Sequence, residues 1–232
     1  MSVIIPTLNE EHHVGSLLSD IAAQTREPDE VLVVDAGSTD RTIEVVRRFG
    51  FVRLLEGKPP VACGRNLGGL SATGDALIFL DADVRLNEGF FDGFLREFER
   101  RRLDVACPRY VPYRSTRMVE GFHALLNALF KVSQGVLPSG AGHCIAVRRR
   151  IFQGSRGFDP SLKFDDIELI RRLARGRRFG IVEERVFVSD RRYREQGVTR
   201  MILRYALMAL IFALGKFAWA NRIEYEFGDH ER

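Results

Sequence analysis

Two periods of hydrophobic spacing alternate along the first half of the chain. VII (3–5), EVLVVD (30–35), VRLLE (52–56) and ALIFL (76–80) are short apolar runs of the kind expected where a strand is buried on both faces of a parallel sheet. Between them the spacing becomes helical, first at Val14, Leu17, Leu18 and Ile21. It recurs at Ile43, Val46 and Phe49, with Ser38-Thr39-Asp40 ahead as a cap and Gly50 behind as a stop. Thr7 and Glu10 have the form of a capping box with Thr7 as the N-cap. A further helix is expected near 64–72, ended by Thr73-Gly74. The rhythm predicts an α/β fold, a mostly parallel central sheet flanked by helices. Such sheets bind ligands beyond the carboxyl ends of their strands. Asp35, Asp81 and Asp83 fall at strand ends of that kind and are expected to face one crevice.

The second half is less regular. A helix over 88–101 carries Phe90, Phe91, Phe94, Leu95 and Phe98, a stripe expected in the core. DVACPRYV (104–111) and HCIAV (143–147) read as strands, and 165–175 as a helix stopped by Gly176. Residues 116–136 form an amphipathic helix with Val119, Phe122, Leu125, Leu126, Leu129 and Phe130, expected to pack over the sheet. Residues 201–220 have about the length that spans a bilayer, but Arg204 and Lys216 interrupt them. The uninterrupted run 205–215 is too short to cross, so a helix docked on the domain or lying in a membrane interface is expected. The division is therefore a main domain over 1–197 and an apolar helix with its tail over 198–232.

Composition changes this picture little. The 232 residues, 45% hydrophobic and 28% charged, are enough for a sizeable core without disulfides or structural metal. The net charge of +4 permits a phosphate-bearing ligand or an anionic membrane surface and requires neither. The arginines at 148–150 and around 171–178 lack interleaved aromatics or a nucleic-acid motif, so no nucleic-acid partner is expected. Cys63, Cys107 and Cys144 match no metal spacing and read as ordinary thiols of a reducing compartment. With a strand starting at once in SVIIP and no signal peptide, a cytoplasmic protein is expected, either free or in peripheral contact with the cytoplasmic face of the membrane.

The candidate chemistry begins at Asp81-Ala82-Asp83, where an apolar strand ends in two carboxylates. Two uncompensated charges there would be costly. Hard divalent cations take one or two carboxylates together with substrate phosphates and water, which would neutralise the pair. Taken alone, the motif reads more plainly as a solvated turn.

Its neighbours alter that. SVIIPTLNEE at the start, VLVVDAGSTDRT (31–42), CGRNLGGLSATGD (63–75) and IFLDADV (78–84) follow in an order that closely resembles the family 2 glycosyltransferases, which have the GT-A fold. GAGHCIAVRRRIF (140–152), GFDPSLKFDDIELIRRLARG (157–176) and SDRRYREQG (189–197) continue the resemblance. It implies a nucleotide-sugar-binding half over 1–110 and an acceptor half over 111–197. It implies that Pro6, Thr7, Asn9 and Glu10 line the nucleoside pocket and that Asp35, followed by Gly37, hydrogen-bonds the base. It sets Arg65 near the sugar diphosphate. Asp81, Ala82 and Asp83 match the family's Asp-x-Asp, with Asp83 as the closer metal ligand and Mg²⁺ or Mn²⁺ as the cation. Asp166 matches the general base. Asp165 stands where the family usually has Glu, which leaves open which of Asp165 and Asp166 is the base; the match of Ile167, Glu168 and Leu169 favours Asp166.

The chemistry agrees with that resemblance. Neutralising a sugar nucleotide's diphosphate makes it a good leaving group, and a positioned carboxylate can take the acceptor's proton as it attacks. One such attack inverts the anomeric centre, so a metal-dependent, inverting transferase is expected. Arg191 and Arg192 follow an expected strand and either close over the diphosphate or form a solvated turn. His143, after the Gly140–Gly142 bend, either faces the acceptor or is a packed histidine. The two apolar helices suggest a glycan or polyprenyl-phosphate-type acceptor. Two alternatives stand beside this: a catalytically silent sugar-nucleotide-binding protein, and a sugar nucleotidyltransferase, which the acidic PTLNEE disfavours.

Overall fold

The computed structural model describes residues 1–113, 115–213 and 217–221. Seven strands form one sheet: β1 (Ser2–Thr7), β2 (Glu30–Asp35), β3 (Val52–Glu56), β4 (Ala76–Leu80), β5 (Val105–Pro112), β6 (Cys144–Arg148) and β7 (Phe179–Val188). Their order across the sheet is β3-β2-β1-β4-β6-β5-β7. β1, β2, β3 and β4 run parallel, as do β5 and β7, while β6 runs against both its neighbours. The sheet is thus mostly parallel, as the apolar runs predict, with one opposed strand that their pattern does not mark.

The buried strands sort their residues by parity, as a period of two requires. Val3, Ile5, Val31, Val33, Ile78 and Leu80 face one core. There they meet α1 (Val14–Ala22) and the phenylalanine stripe of α4 (Phe90–Arg100), which is buried as expected. Ile4, Leu32, Val34, Leu77 and Phe79 face the other core, with Phe152 of α6 (Arg149–Gln153) and Leu169, Ile170 and Leu173 of α7 (Asp165–Ala174).

Helix α3 (Val61–Ser71) lies very close to this second face because glycines form its inner side. A Cβ at Gly68 would come within 2.4 Å of Ile4 Cγ2 and 3.1 Å of Val34 Cγ2. These are core side chains with no room to yield. Gly68→Val is therefore expected to cost on the order of 1–3 kcal/mol by overpacking. Thermal denaturation should show a midpoint roughly 2–10 °C lower.

Two local expectations fail for a physical reason. The Thr7 capping box does not form, because Thr7 still belongs to β1, paired with Asp35 in register. The chain then turns at Asn9, whose φ is 54°, and α1 starts only at Val14. The helix α2 (Thr42–Val46) is shorter than its apolar spacing suggests and has Arg41 at its N-cap with no capping side chain; Asp40 Oδ1 instead accepts the Thr42 N–H at 2.9 Å in a turn just ahead of it.

The second departure is larger. Helix α5 (Arg117–Ser133) begins at its Thr116 cap but buries Val119, His123 and Asn127, leaving Leu125 and Leu129 exposed. Asn127 makes this possible by exchanging hydrogen bonds with the Tyr110 backbone: its Nδ2 donates to O at 2.8 Å and its Oδ1 accepts from N at 3.1 Å. The apolar stripe thus only partly packs on the domain. Beyond β7 come α8 (Arg191–Gln196), α9 (Val198–Ala213) and the short α10 (Phe217–Ala220). No helix among the described residues is long and apolar enough to cross a membrane. Leu214 and Gly215, the end of the expected apolar run, and the interrupting Lys216 lie outside the described residues.

Candidate functional site

The strand order turns outward in both directions from β1: β2 and β3 lie to one side, β4 to the other. A crevice opens at such a switch point beyond the carboxyl ends of the strands. β1 ends at Thr7, β2 at Asp35, and Asp81 follows β4, so the sequence-predicted residues gather there.

On the β2 side the loops after β1 and β2 are laced together. Asp35 is almost fully buried and organises them: Oδ2 accepts the N–H groups of Gly37 at 3.0 Å and Ser38 at 2.9 Å. Oδ1 accepts the hydroxyls of Ser38 and Thr7, the latter at 3.2 Å. Gly37 has a φ of 92°, a left-handed conformation that glycine adopts without strain. Asn9 Oδ1 accepts the Thr39 N–H at 2.9 Å, and the Glu10 N–H donates to Thr42 Oγ1 at 2.7 Å. Pro6, buried within β1, completes this wall.

On the β4 side a charged cluster forms. Arg65 projects from α3, 6% exposed, between two carboxylates. Its Nη2 donates to Asp81 Oδ1 at 2.7 Å, and its Nη1 to both oxygens of Asp165 at 3.1 and 3.3 Å. Its guanidinium lies 5.2 Å from the Phe158 ring centroid. Because β4 and β6 are antiparallel, Leu80 pairs with Cys144, and His143 arrives directly beside Asp81. The Asp81 N–H donates to the His143 carbonyl at 3.1 Å, and His143 Nδ1 stands 3.1 Å from Asp81 Oδ2. Ala82 is buried and anchors the turn, so that Asp83 emerges on the same side as Asp81.

One ligand atom from each of Asp81, Asp83 and His143 lies within 4.8 Å of the others. Two carboxylates and an imidazole suit a divalent cation that accepts both oxygen and nitrogen, and the residues present fit one.

Asp165 and Asp166 open α7, where the helix N-terminus favours negative charge. Their environments differ. Asp165 is committed to Arg65. Asp166 Oδ1 accepts the N–H of Ile167 at 2.8 Å, while its Oδ2 occupies the space above Gly142. Burial raises both carboxyls above the usual carboxylate range, against the pull of Arg65. Asp81 moves the other way: burial would raise it, but Arg65 and the hydrogen bond from His143 outweigh that and hold it ionised.

A Cβ at Gly142 would lie 1.7 Å from the present place of Asp166 Oδ2. Gly142→Ala is thus expected to displace that carboxylate, and a transferase that relies on Asp166 would lose kcat on the order of 10²-fold, the scale of an ångström-sized misplacement. Donor and cation affinities, measured by calorimetry on the same variant, should stay within about twofold if only the carboxylate moves.

Arg191 and Arg192 begin α8, but their side chains lie outside the described residues. Asn66 is a contributor that sequence reasoning passed over. Its Oδ1 accepts the Phe158 N–H at 2.7 Å and its Nδ2 donates to the Phe158 carbonyl at 2.8 Å. This fixes the loop leading to Asp165, and the signal was present in the segment CGRNLGG.

An α/β sheet with a nucleotide-type crevice and acidic residues at its strand ends defines the class, and comparison with known proteins identifies it as the GT-A fold. The S. aureus TarS fragment 1–349 in complex with UDP superposes with a TM-score of 0.65 at 20% identity, over 81% of this chain and 60% of that one. The mannosyltransferase PcManGT from Pyrobaculum calidifontis, in complex with GDP-Man and Mn²⁺, gives 0.67 at 22% identity, over 81% and 56%. The family model for glycosyl transferase family 2 matches residues 2–155, more than half of the chain, and the chain belongs to that family. The 4,4'-diaponeurosporenoate glycosyltransferase of Staphylococcus haemolyticus is 28% identical over 158 residues, 63% of this chain. The chain spans only 42% of that relative's length.

Proposed function

We propose that the protein is a metal-dependent, inverting glycosyltransferase that moves a sugar from a nucleotide-diphosphate sugar to an acceptor hydroxyl or phosphate. One observation carries this reading: Asp81, Asp83 and His143, whose ligand atoms lie close enough together to hold a divalent cation, share a cluster with Arg65 and the α7 carboxylates. TarS bound to UDP and PcManGT bound to GDP-Man and Mn²⁺, which share the fold, support a nucleotide-sugar donor and a divalent ion.

Residues 1–110 hold the donor in this reading, and 111–197 face the acceptor. Thr7, Asn9, Glu10 and the Asp35–Gly37 turn line the nucleoside pocket beside Pro6. Asp81, Asp83 and His143 would hold Mg²⁺ or Mn²⁺, whose charge would neutralise the diphosphate and so favour its departure. Arg65 adds a fixed positive charge to the same end of the site. Asp165 positions Arg65, and Asp166 accepts the acceptor's proton as the acceptor oxygen bonds to the anomeric carbon. The bond from that carbon to the diphosphate oxygen breaks in the same displacement, and nucleoside diphosphate leaves with the electron pair. Arg191 and Arg192, which follow the carboxyl end of β7, would add further charge to the leaving group.

A lipid-linked glycan or polyprenyl-phosphate-type acceptor fits the apolar helices flanking the site. The free cysteines Cys63, Cys107 and Cys144 support a reducing, cytoplasmic setting. The anomeric configuration of the product, read by NMR, tests the reading. Inversion is expected, while retention would exclude a single displacement through Asp166.

A further inference from the structure

We propose that the outer faces of α5 and α9 form one surface that docks on an anionic lipid bilayer and presents the site to a lipid-linked acceptor. The acceptor clause rests on the transferase reading above; the docking does not. Met118, Leu125, Leu129 and Val132 of α5 are 60%, 56%, 54% and 87% exposed. At helical spacing they fall within an arc of about 60°. Between Gly121 and Phe130 the helix carries no charged residue, and the exposed positions beside the stripe are Gly121, Ala124 and Ala128. Helix α9 repeats the pattern, with Leu203 at 66% and Leu207 at 50% exposure and Ala206 beside them.

The two helices belong to one surface. The rings of Phe122 and Tyr205 lie 5.9 Å apart, and Val119 packs in one cluster with Met201 and Tyr193. At 17 and 16 residues, α5 and α9 are roughly 25 Å long, short of the hydrocarbon thickness. Their apolar arcs suit lying in an interface.

Charge selects the occupant. Arg117 stands exposed at the start of α5 and Arg200 near the start of α9, where long basic side chains can reach headgroups. The stretch 190–204 carries Arg191, Arg192, Arg194, Arg200 and Arg204 against Asp190 and Glu195, with Arg194 paired to Asp190, and the remaining positive excess attracts an anionic leaflet.

The inner sides of the same helices border the site. His123 of α5 packs on Tyr110 with ring centroids 4.8 Å apart, and Tyr110 stands 6.3 Å from His143. Phe212 of α9 packs on Phe164, the residue before Asp165, at 5.4 Å. A bilayer against the outer faces therefore lies one helix away from the residues assigned to the acceptor.

The test is co-flotation of the full chain with phosphatidylcholine vesicles, with and without about 30% phosphatidylglycerol. No donor is present, so its outcome is independent of the transfer reaction. The full chain should float with anionic vesicles, more weakly with neutral ones, and less as salt rises. Leu125→Glu/Leu129→Glu and Leu203→Glu/Leu207→Glu should each reduce anionic vesicle binding at least about tenfold. Unchanged circular dichroism and nucleotide affinity in each variant would show that the fold is intact. Absence of flotation, or variants that float like the parent, would overturn the proposal. So would a dimer in light scattering that these substitutions dissociate, since the face would then belong to a second copy of the chain.

Discussion

Asp166→Asn is expected to leave a folded protein that binds donor and cation but turns over roughly 10²–10⁴-fold more slowly, the usual scale for a general base. Stability separates this from a structural lesion. A buried carboxyl whose folded value is raised takes up a proton on folding. Stability is then lost as pH rises from the ordinary carboxylate value through the raised one. Asparagine has no charge to bury, so the variant should be more stable than its parent at pH 8, with the difference fading as pH falls toward 4. The parent's activity should fall on acidification at a higher pH than an ordinary carboxylate would dictate, because the Asp165–Asp166 pair then retains a proton. Chemical denaturation across pH and single-turnover rates check both sides. A destabilised Asp166→Asn at pH 8, or one with near-normal kcat, would remove Asp166 from the role of base.

Asp83→Ala is expected to weaken cation-dependent nucleotide binding by well over tenfold. Losing even an outer-sphere partner of a metal site typically costs 10–100-fold in affinity, and Asp83 is proposed above as a direct ligand, its carboxylate lying within 4.8 Å of Asp81 and His143 ligand atoms. Asp83 is a cleaner probe than Asp81, whose Oδ1 also holds Arg65. Asp81→Ala would release Arg65 from one of its two anchors and leave a buried cation under-compensated, so it should lower stability as well as affinity. Calorimetric titration of nucleoside diphosphate with and without Mn²⁺ distinguishes them. Asp83→Ala should keep its metal-free binding and its unfolding midpoint.

How far the sequence alone could reach depended on the range of each interaction. β1, β2 and β4 announce themselves because both faces are buried, so their central positions are apolar and polar residues stand only at the ends of β1 and β2. Asp35 and Asp81 follow from these strands by simple continuation. Thr7 misled because a threonine followed by Glu10 looks like a local cap, while its hydroxyl is used 28 residues away by Asp35. Arg65 and Asp165 are 100 residues apart, and the spacing of apolar positions says nothing about such a pairing. The neighbourhood of His143 and Asp81 depends on β6 running backwards, which a short apolar run does not reveal. Helix α5 was legible as a helix but not in its orientation. Its amphipathic stripe marks where apolar residues lie, while His123 and Asn127 point inward because Tyr193 and Tyr110 meet them there. The hydrogen bond between His123 and Tyr193 could be drawn only once both helices were in place.

The central claim is that the Asp81, Asp83 and His143 set, Arg65 and the α7 carboxylates Asp165 and Asp166 together drive sugar transfer from a nucleotide donor. Its most direct measurement is release of nucleoside diphosphate from a panel of UDP- and GDP-sugars, with Mg²⁺ or Mn²⁺ and with chelator. At least one donor should release nucleotide in the presence of a cation, by transfer or by slow hydrolysis, and chelator should abolish the release. Tight binding without release from any donor, or release that chelator leaves unchanged, would contradict it.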